Sequence, residues 1–394
     1  MGRSYRILIS TGEVSGDLQG SLLVPALYAE AQSRGYSLDI LALGGPKMAA
    51  AGVQLLGDTS QIGAIGPINA LPFVWPTLKM QRQVMDQLKQ TPPDLTVLID
   101  YIGPNLRLGK RLKQMFQMPV VYYIAPPEWV WSQGLGVTRQ VVDLSDKMLA
   151  IFPQEATYYQ TMGANLQWVG HPLVDQLPQF PTREQARQQL GIDARQPMVG
   201  LMPASRSQEL EHLLPVMLEA AQIISQNIPD IQFWMPLALP AYRSDVTRAI
   251  QNTGLPISIT PDSQAVIAAA DMVITKSGTA NLEAALLNIP QVVIYRVGPI
   301  SAWLYQHLLS FKVDFISPVN LVAGQAVVPE LLQQEATPEK IAILACQLLE
   351  DEVARHKIRV GYQKVRSQLG CPGVLQQTAQ AILDVLERGY PTNP

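Results

Sequence analysis

Lys276-Ser277-Gly278-Thr279, followed by Ala280-Asn281-Leu282-Glu283, is the stretch whose residue types and spacing most directly suggest chemistry. Gly278 permits a tight turn with positive φ, and Thr279 is a fair helix N-cap. Met272–Thr275 reads as a short buried strand and Thr279–Leu287 as a helix. Ser277-Gly278-Thr279 is then the turn between them, offering free backbone N–H groups to an anion. Glu283 lies four residues into the helix and faces the same crevice. A carboxylate there suits sugar hydroxyls and would repel phosphate. The pattern predicts a nucleotide, with phosphate at the turn and ribose on Glu283. Taken alone, the same turn reads equally well as a plain helix cap.

Other suggestive loops also follow apolar strands. Gly12-Glu13-Val14-Ser15-Gly16-Asp17 lacks the GxGxxG spacing of a dinucleotide loop. Its two carboxylates make it a poor phosphate cradle, so Glu13, Ser15 and Asp17 suit sugar recognition. Gly44-Gly45-Pro46 reads as a structural turn that could back the substrate. Asp100 ends another strand, where a carboxylate can be a general base or can tie down the next loop; Asn105 is expected to cap the helix after it. Trp129 and Trp131 stack on sugar rings or anchor packing. His171 is expected to make a structural hydrogen bond at a domain junction. Ser205 and Arg206, before the next helix, suit a diphosphate clamp or a capping serine beside a surface arginine.

These loops need a scaffold that brings strand ends together. Apolar strands at Tyr5–Ser10, Asp39–Leu43, Leu95–Ile99, Val120–Ile124 and Lys147–Ile151 alternate with helical stretches. After the Pro-containing linker Gln176–Thr182 the pattern restarts, with strands at Met198–Met202, Gln232–Met235, Ile257–Thr260, Met272–Thr275 and Gln291–Tyr295. Nearly continuous Val/Ile/Leu strands between helices mean parallel sheets covered on both faces. The expected fold is α/β: two doubly wound, Rossmann-like domains facing a central cleft. The boundaries read as 1–175 for the first domain and 184–365 for the second, which the family resemblance given below makes the acceptor side and the UDP-sugar side. Residues 366–394 form a C-terminal helix expected to cross back to the first domain.

With 394 residues, 47% of them hydrophobic and 15% charged, the chain can bury large cores and is not disordered. A net charge of −3 without a basic block argues against nucleic acid as a partner. Cys346 and Cys371 have no CxxC or histidine partner, and read as ordinary thiols in a reducing compartment. Met-Gly-Arg runs straight into a strand, which reads as a soluble chain without a signal peptide. The uncharged run Thr59–Leu78 carries too many Pro and Gly residues to span a bilayer. With Phe73 and Trp75 it is either a buried connection or a contact with acyl chains or a membrane surface. No Asp-x-Asp ends a strand, and the four histidines show no ligand spacing, so no metal or cofactor is expected.

Laid side by side, the loops resemble the lipid-A-disaccharide synthase family, inverting glycosyltransferases of GT-B type, over nearly the whole chain. The resemblance rests on Gly12–Asp17, Gly44-Gly45-Pro46, Ile99-Asp100, Pro126 with Trp129 and Trp131, Phe152-Pro153-Gln154-Glu155 and Val169–Leu173. It continues in Pro203–Arg206, Ser277–Glu283, Asn320–Gly324 and Val328–Gln333. It implies transfer of diacylglucosamine from UDP-2,3-diacylglucosamine to 2,3-diacylglucosamine 1-phosphate, giving lipid A disaccharide 1-phosphate and UDP. It places Ser205 and Arg206 on the diphosphate, Glu283 on the ribose, Asn320 and Gln333 nearby, and Asp100 as base. It also implies a cytoplasmic enzyme held peripherally at the inner membrane, and it allows a homodimer. Departures concentrate on the acceptor side. Gly103 stands where relatives keep a second acid, and Trp131 is followed by Ser132 where they keep arginine. A transferase with another lipid or sugar acceptor, a UDP-sugar epimerase, and a non-catalytic UDP- or lipid-binding homologue are the competing readings.

Overall fold

A computed structural model of the chain describes residues 3–12, 14–59, 67–130, 134–203, 207–237, 242–296, 298 and 314–389. The chain forms two compact units, one of Met1–Asp175 with Leu369–Pro394 and the other of Gln176–Gln368. The first holds strands β1 (Ser4–Ser10), β2 (Ser37–Gly44), β3 (Gln54–Asp58), β4 (Leu95–Ile99), β5 (Val120–Tyr123), β6 (Lys147–Ala150) and β7 (Leu166–Trp168). They run parallel in the order β3-β2-β1-β4-β5-β6-β7. Every residue of β4 and β5 is buried, as strands with helices on both faces must be. Those helices include α1 (Val14–Ser33), α2 (Pro46–Ala50), α3 (Pro67–Leu88), α4 (Ile102–Phe116), α5 (Leu135–Leu144), α6 (Pro153–Thr161) and α7 (Leu173–Gln176).

The second unit repeats the plan. Its strands are β8 (Met198–Met202), β9 (Gln232–Pro236), β10 (Ile257–Thr260), β11 (Met272–Lys276), β12 (Gln291–Tyr295) and β13 (Glu330–Leu332). They lie parallel in the order β10-β9-β8-β11-β12-β13. Helices α8 (Arg183–Leu190), α9 (Ser207–Asn227), α10 (Arg243–Thr253), α11 (Ser263–Ala269) and α12 (Thr279–Leu286) connect or cover them. Both units are therefore the doubly wound α/β folds that the alternation predicts. In each sheet the winding reverses once, between β1 and β4 and between β8 and β11. Open α/β sheets bind ligands outside the carboxyl ends of their strands at such a reversal.

The last helix, Val374–Arg388, belongs to the first unit and packs on α1. Its Ala379, Ile382, Leu383 and Leu386 share one core with Ile7, Ile9, Leu23 and Leu27. Each large aliphatic side chain so buried contributes about 1.5–3 kcal/mol. The Asp175 carboxylate accepts the N–H groups of Gly373 (2.6 Å) and Leu375 (2.7 Å) at the helix start. Arg34 pairs with Asp384 and Glu387 near its end. Close by, Gly170 (φ +89°) has no room for a side chain, since a Cβ would lie 2.8 Å from the Leu369 carbonyl.

Three differences from the sequence reading have physical causes. β3, β7 and β13 are edge strands of three to five residues, half-exposed, and so lack the apolar run that marks a buried strand. The segment Gln176–Thr182, read as a linker, is a short 3₁₀ turn (Leu177–Gln179) ending at buried Phe180. Helix α3 starts at Pro67, inside the uncharged run, and continues through Pro72 and Pro76. Pro67 itself sits at the first position, where proline's missing N–H is harmless. Trp75 is 77% exposed on this helix, which removes the buried-connection reading at that residue. Residues 60–66 of the uncharged run and the Phe73 side chain lie outside what is described. Among the described residues, no helix is long and apolar enough to cross a membrane.

Candidate active site

At the first reversal, β4 feeds a turn that L-residues avoid. Asp100 (φ 48°) and Tyr101 (φ 52°) are both left-handed, at about 1–2 kcal/mol each. Buried Asn105 holds the turn. Its Nδ2 lies 2.8 Å from the Asp100 carbonyl, 3.1 Å from that of Ile99 and 3.3 Å from that of Ser10. Its Oδ1 accepts the Ser10 hydroxyl at 2.8 Å. Asn105 is thus not the expected cap: it lies inside α4 and stitches the ends of β1 and β4 together. The Tyr122 hydroxyl also donates to the Asp100 carbonyl (2.9 Å), and the Asp100 N–H donates to Ile124 (3.0 Å). Burial first, then the charge of Asp100, hold the Tyr122 phenol well above its ordinary value, so it stays a donor. The Tyr101 ring covers Gly12 so closely that a Cβ there would lie 1.8 Å from it. The backbone of Asp100 is fixed independently of its half-buried carboxylate.

A second carboxyl braces the neighbouring strand ends. Glu155, buried on α6, accepts N–H groups from Ala125 (2.8 Å), Ile151 (2.9 Å) and Phe152 (3.2 Å). Burial pushes it up to about 7 against the pull of those three donors, with the charge of Asp100 adding to the rise. Glu155 therefore clamps the exits of β5 and β6 to each other. Half-buried Trp129 packs on Phe152 (centroids 5.8 Å apart), which packs on His171 (5.3 Å). Burial pushes His171 down to about 3. Its neutral Nδ1 accepts the Leu173 N–H at 3.2 Å, and its backbone N–H donates to the Leu369 carbonyl at 2.7 Å. That is the structural role expected of it.

Asp17 is tied into the fold. It is 2% exposed, and its two oxygens accept the N–H groups of Gly45 (2.8 Å), Met48 (3.0 Å) and Lys47 (3.0 Å). The carboxylate builds the Gly44-Gly45-Pro46 turn. Ser15 is exposed near the start of α1. Glu13, Trp131, Ser205 and Arg206 lie outside the described residues.

At the second reversal, β11 leads into Ser277-Gly278. Gly278 (φ 154°) is the N-cap of α12, with Thr279 one position inside the helix, where the sequence reading had it as cap. No side chain among the described residues caps this helix, leaving first-turn N–H groups for a ligand. Glu283 stands four residues after Thr279 on the same helix face. Its half-buried carboxyl takes no hydrogen bond from the described residues and is pushed up to about 7 by burial. A desolvated carboxyl without a partner suits a ligand rich in hydroxyls.

Asn320 is likewise tied into the fold. It is 1% exposed; its Nδ2 donates to the Val328 carbonyl (2.9 Å) and Glu330 Oε1 (2.7 Å), while Oδ1 accepts Val327 and Val328 N–H groups. All its hydrogen-bonding positions are occupied within the protein. Glu330 in turn accepts the N–H groups of Ile316 (2.8 Å) and Ser317 (3.0 Å), and the Ile316 carbonyl accepts the Ser277 hydroxyl (2.8 Å). Asn320 reaches the ligand turn only through that chain. The Gln333 carbonyl (φ 50°) accepts Arg296 Nε at 3.1 Å. Glu155 and Glu330 stand inside the motifs of the sequence with no spacing that marks them as braces. The missed signal was one lone acid within an apolar, Pro-bearing run.

A family model described as lipid-A-disaccharide synthetase matches residues 7–385. A lipid-A-disaccharide synthase of Gloeothece citriformis is 50% identical over 381 residues, covering 96% of this chain and 99% of that protein. Among solved structures, S. aureus MnaA in its UDP co-structure aligns with a TM-score of 0.68 at 14% identity, over 99% of this chain and all of that one. CalG4, the calicheamicin glycosyltransferase, aligns with a TM-score of 0.59 at 16% identity, over 99% of this chain and 100% of that one. These structural likenesses share the two-domain GT-B fold. With its family match running through both reversals, where Asp100 and the Ser277–Glu283 turn stand, this chain belongs to the lipid-A-disaccharide synthase family.

Proposed function

We propose that the protein transfers diacylglucosamine from UDP-2,3-diacylglucosamine to 2,3-diacylglucosamine 1-phosphate, with inversion. The observation that carries this reading is Asp100: a half-buried carboxylate on a doubly left-handed turn, backbone-clamped at the sheet reversal, in a chain of this family. Strain kept at such a position points to function. Asp100 takes the proton of the acceptor hydroxyl. The freed oxygen bonds to the anomeric carbon while the carbon–oxygen bond to the phosphate breaks on the opposite face, and the electron pair leaves with UDP. The first-turn N–H groups of α12, with Ser205, Arg206, Ser277 and Thr279, meet the diphosphate. Glu283 accepts the ribose hydroxyls, and the Gln333 segment lies beside them. Acceptor recognition belongs to the first unit, with Glu13, Ser15 and Trp129, and donor recognition to the second. No metal or cofactor takes part, and activity survives EDTA.

Acylated substrates imply work at a lipid surface. Val74 and Trp75 on α3, 44% and 77% exposed, make that helix the contact with the cytoplasmic face of the inner membrane. The test is mass spectrometry of products formed from UDP-2,3-diacylglucosamine with and without 2,3-diacylglucosamine 1-phosphate. A disaccharide 1-phosphate with one UDP released per bond supports the reading. Isomerised donor, or product only with another acceptor, refutes it.

A further inference from the structure

Beside the Asp100–Tyr101 turn, the first unit contains a cavity with room for one water-sized group. Thr11, Thr59, Thr77, Gln81, Tyr101 and Asn105 are among its lining residues. Most of the polar atoms around it are accounted for. Asn105 holds Ser10, Ile99 and Asp100, and the Thr59 hydroxyl donates to the Thr11 carbonyl at 2.6 Å. Two are left. Thr11 Oγ1 and Gln81 Oε1 are buried and have no hydrogen-bond partner among the described residues, on side chains only 2% and 4% exposed. The orientation of the Gln81 amide is set by its Nε2, which donates to the Pro104 carbonyl at 2.9 Å. The orphan on Gln81 is therefore an acceptor. The threonine hydroxyl can donate or accept. Gly16 leaves the space that the hydroxyl occupies, since a Cβ there would lie 1.6 Å from Thr11 Oγ1.

Native proteins rarely leave buried polar atoms unpaired, and two on residues that line one cavity point to a shared partner. The group that satisfies both is a hydroxyl, donating to Gln81 Oε1 and accepting from the Thr11 hydroxyl. We propose that this cavity is a subsite for the acceptor's non-reacting sugar hydroxyl, with Thr11 and Gln81 as the residues that recognise it. The inference rests on the transferase reading above. An acceptor acylated at two positions and phosphorylated at a third keeps two free hydroxyls. One attacks the donor, and the other needs a fixed place beside the base. Tyr101, in the cavity wall, directly follows Asp100, and Asn105, also in the wall, binds the Asp100 carbonyl. Seating one hydroxyl in the cavity thus orients the other hydroxyl of the same sugar toward Asp100.

The experiment compares 2,3-diacylglucosamine 1-phosphate with the analogue that lacks the non-reacting hydroxyl, in the wild type, Thr11→Val, Thr11→Ser and Gln81→Met. The wild type should use the deoxy acceptor with kcat/KM lower by about tenfold, as expected for lost hydrogen bonds. Thr11→Val and Gln81→Met should lose a similar factor on the parent acceptor, mainly in KM, and almost nothing on the deoxy acceptor. Thr11→Ser should restore the preference, and calorimetric UDP affinity should be unchanged throughout. Equal use of both acceptors by the wild type overturns the proposal and leaves the cavity to a water. Variants that lose activity equally on both acceptors overturn it as well, by assigning Thr11 and Gln81 to the fold. If the wild type makes no disaccharide from the parent acceptor, the transferase reading fails, and this inference with it.

Discussion

Asp100→Asn separates the base from the loop it sits on. Asparagine tolerates left-handed φ about as well as aspartate does, so the turn keeps its shape. Alanine would add roughly 1–2 kcal/mol of backbone strain and confuse the result. The hydrogen bonds that fix residue 100 use its own N–H and carbonyl, to Ile124, Asn105 and Tyr122, and survive the change. What is lost is proton acceptance, worth roughly 10²–10⁴-fold in kcat, or about 2.7–5.5 kcal/mol of barrier. Disaccharide formation at saturating acceptor should fall by that factor, while UDP affinity by calorimetry and Tm stay within error. Near-full turnover would refute the assignment and move the role to Glu13. Asp17 is no substitute, because three backbone N–H groups already hold its carboxylate.

Glu283, pushed up to about 7 by burial, gains its charge only as pH rises through neutrality, so it becomes a better acceptor for ribose hydroxyls there. Affinity for a UDP-sugar should rise between pH 6 and 8, about tenfold at most, and Glu283→Gln should flatten that slope in calorimetry. Glu155, also pushed up to about 7, binds its proton more tightly folded than unfolded. Its neutral form is favoured at low pH, and stability should fall as pH rises from about 4.5 to about 7. Glu155→Gln should remove that slope in thermal melts yet cost about 1–3 kcal/mol, because its NH₂ must face one of three backbone donors. Asn320→Ala removes four hydrogen bonds in the core and should lower stability by about 2–4 kcal/mol, read as Tm, and a variant with unchanged Tm would contradict its structural role. Val74→Ser with Trp75→Ser should weaken sedimentation with anionic vesicles and leave UDP affinity intact; unaffected sedimentation removes α3 from the membrane.

The two sheets were legible because their central strands are uninterrupted apolar runs, a pattern that only a doubly covered parallel sheet explains. What escaped was written in weaker marks. Edge strands such as Leu166–Trp168 bury one face poorly and look like loop. Proline in α3 read as a breaker, although the helix carries it. The strand-end positions of Asp100, Ser277 and Glu283 could be read from spacing, because residues after a buried strand must emerge at the sheet's edge. The difference between a side chain that meets ligand and one that builds the loop could not. Asp17 and Asn320 are polar residues inside the same set of motifs as Asp100. Only their partners across the fold, residues 45–48 for one and 327–330 for the other, show that their hydrogen bonds are already committed.

The two reversals achieve their geometry by opposite means. In the first unit Asp100, Tyr101 and Ile124 are all left-handed non-glycine residues at adjoining strand exits, and Asn105, Tyr122 and Glu155 over-determine the backbone around them. A base that must meet one proton at one angle gains from such rigidity, because no reorganisation is left for the reactive step. In the second unit, among the described residues, no side chain caps α12 and the desolvated Glu283 carboxyl takes no hydrogen bond. Both are unfavourable in the free protein and are relieved by a ligand carrying an anion and hydroxyls, so the relief adds to donor affinity. Rigidity on the base side with unmet polar groups on the donor side is the division expected when the first unit supplies the reacting group and the second supplies the hold.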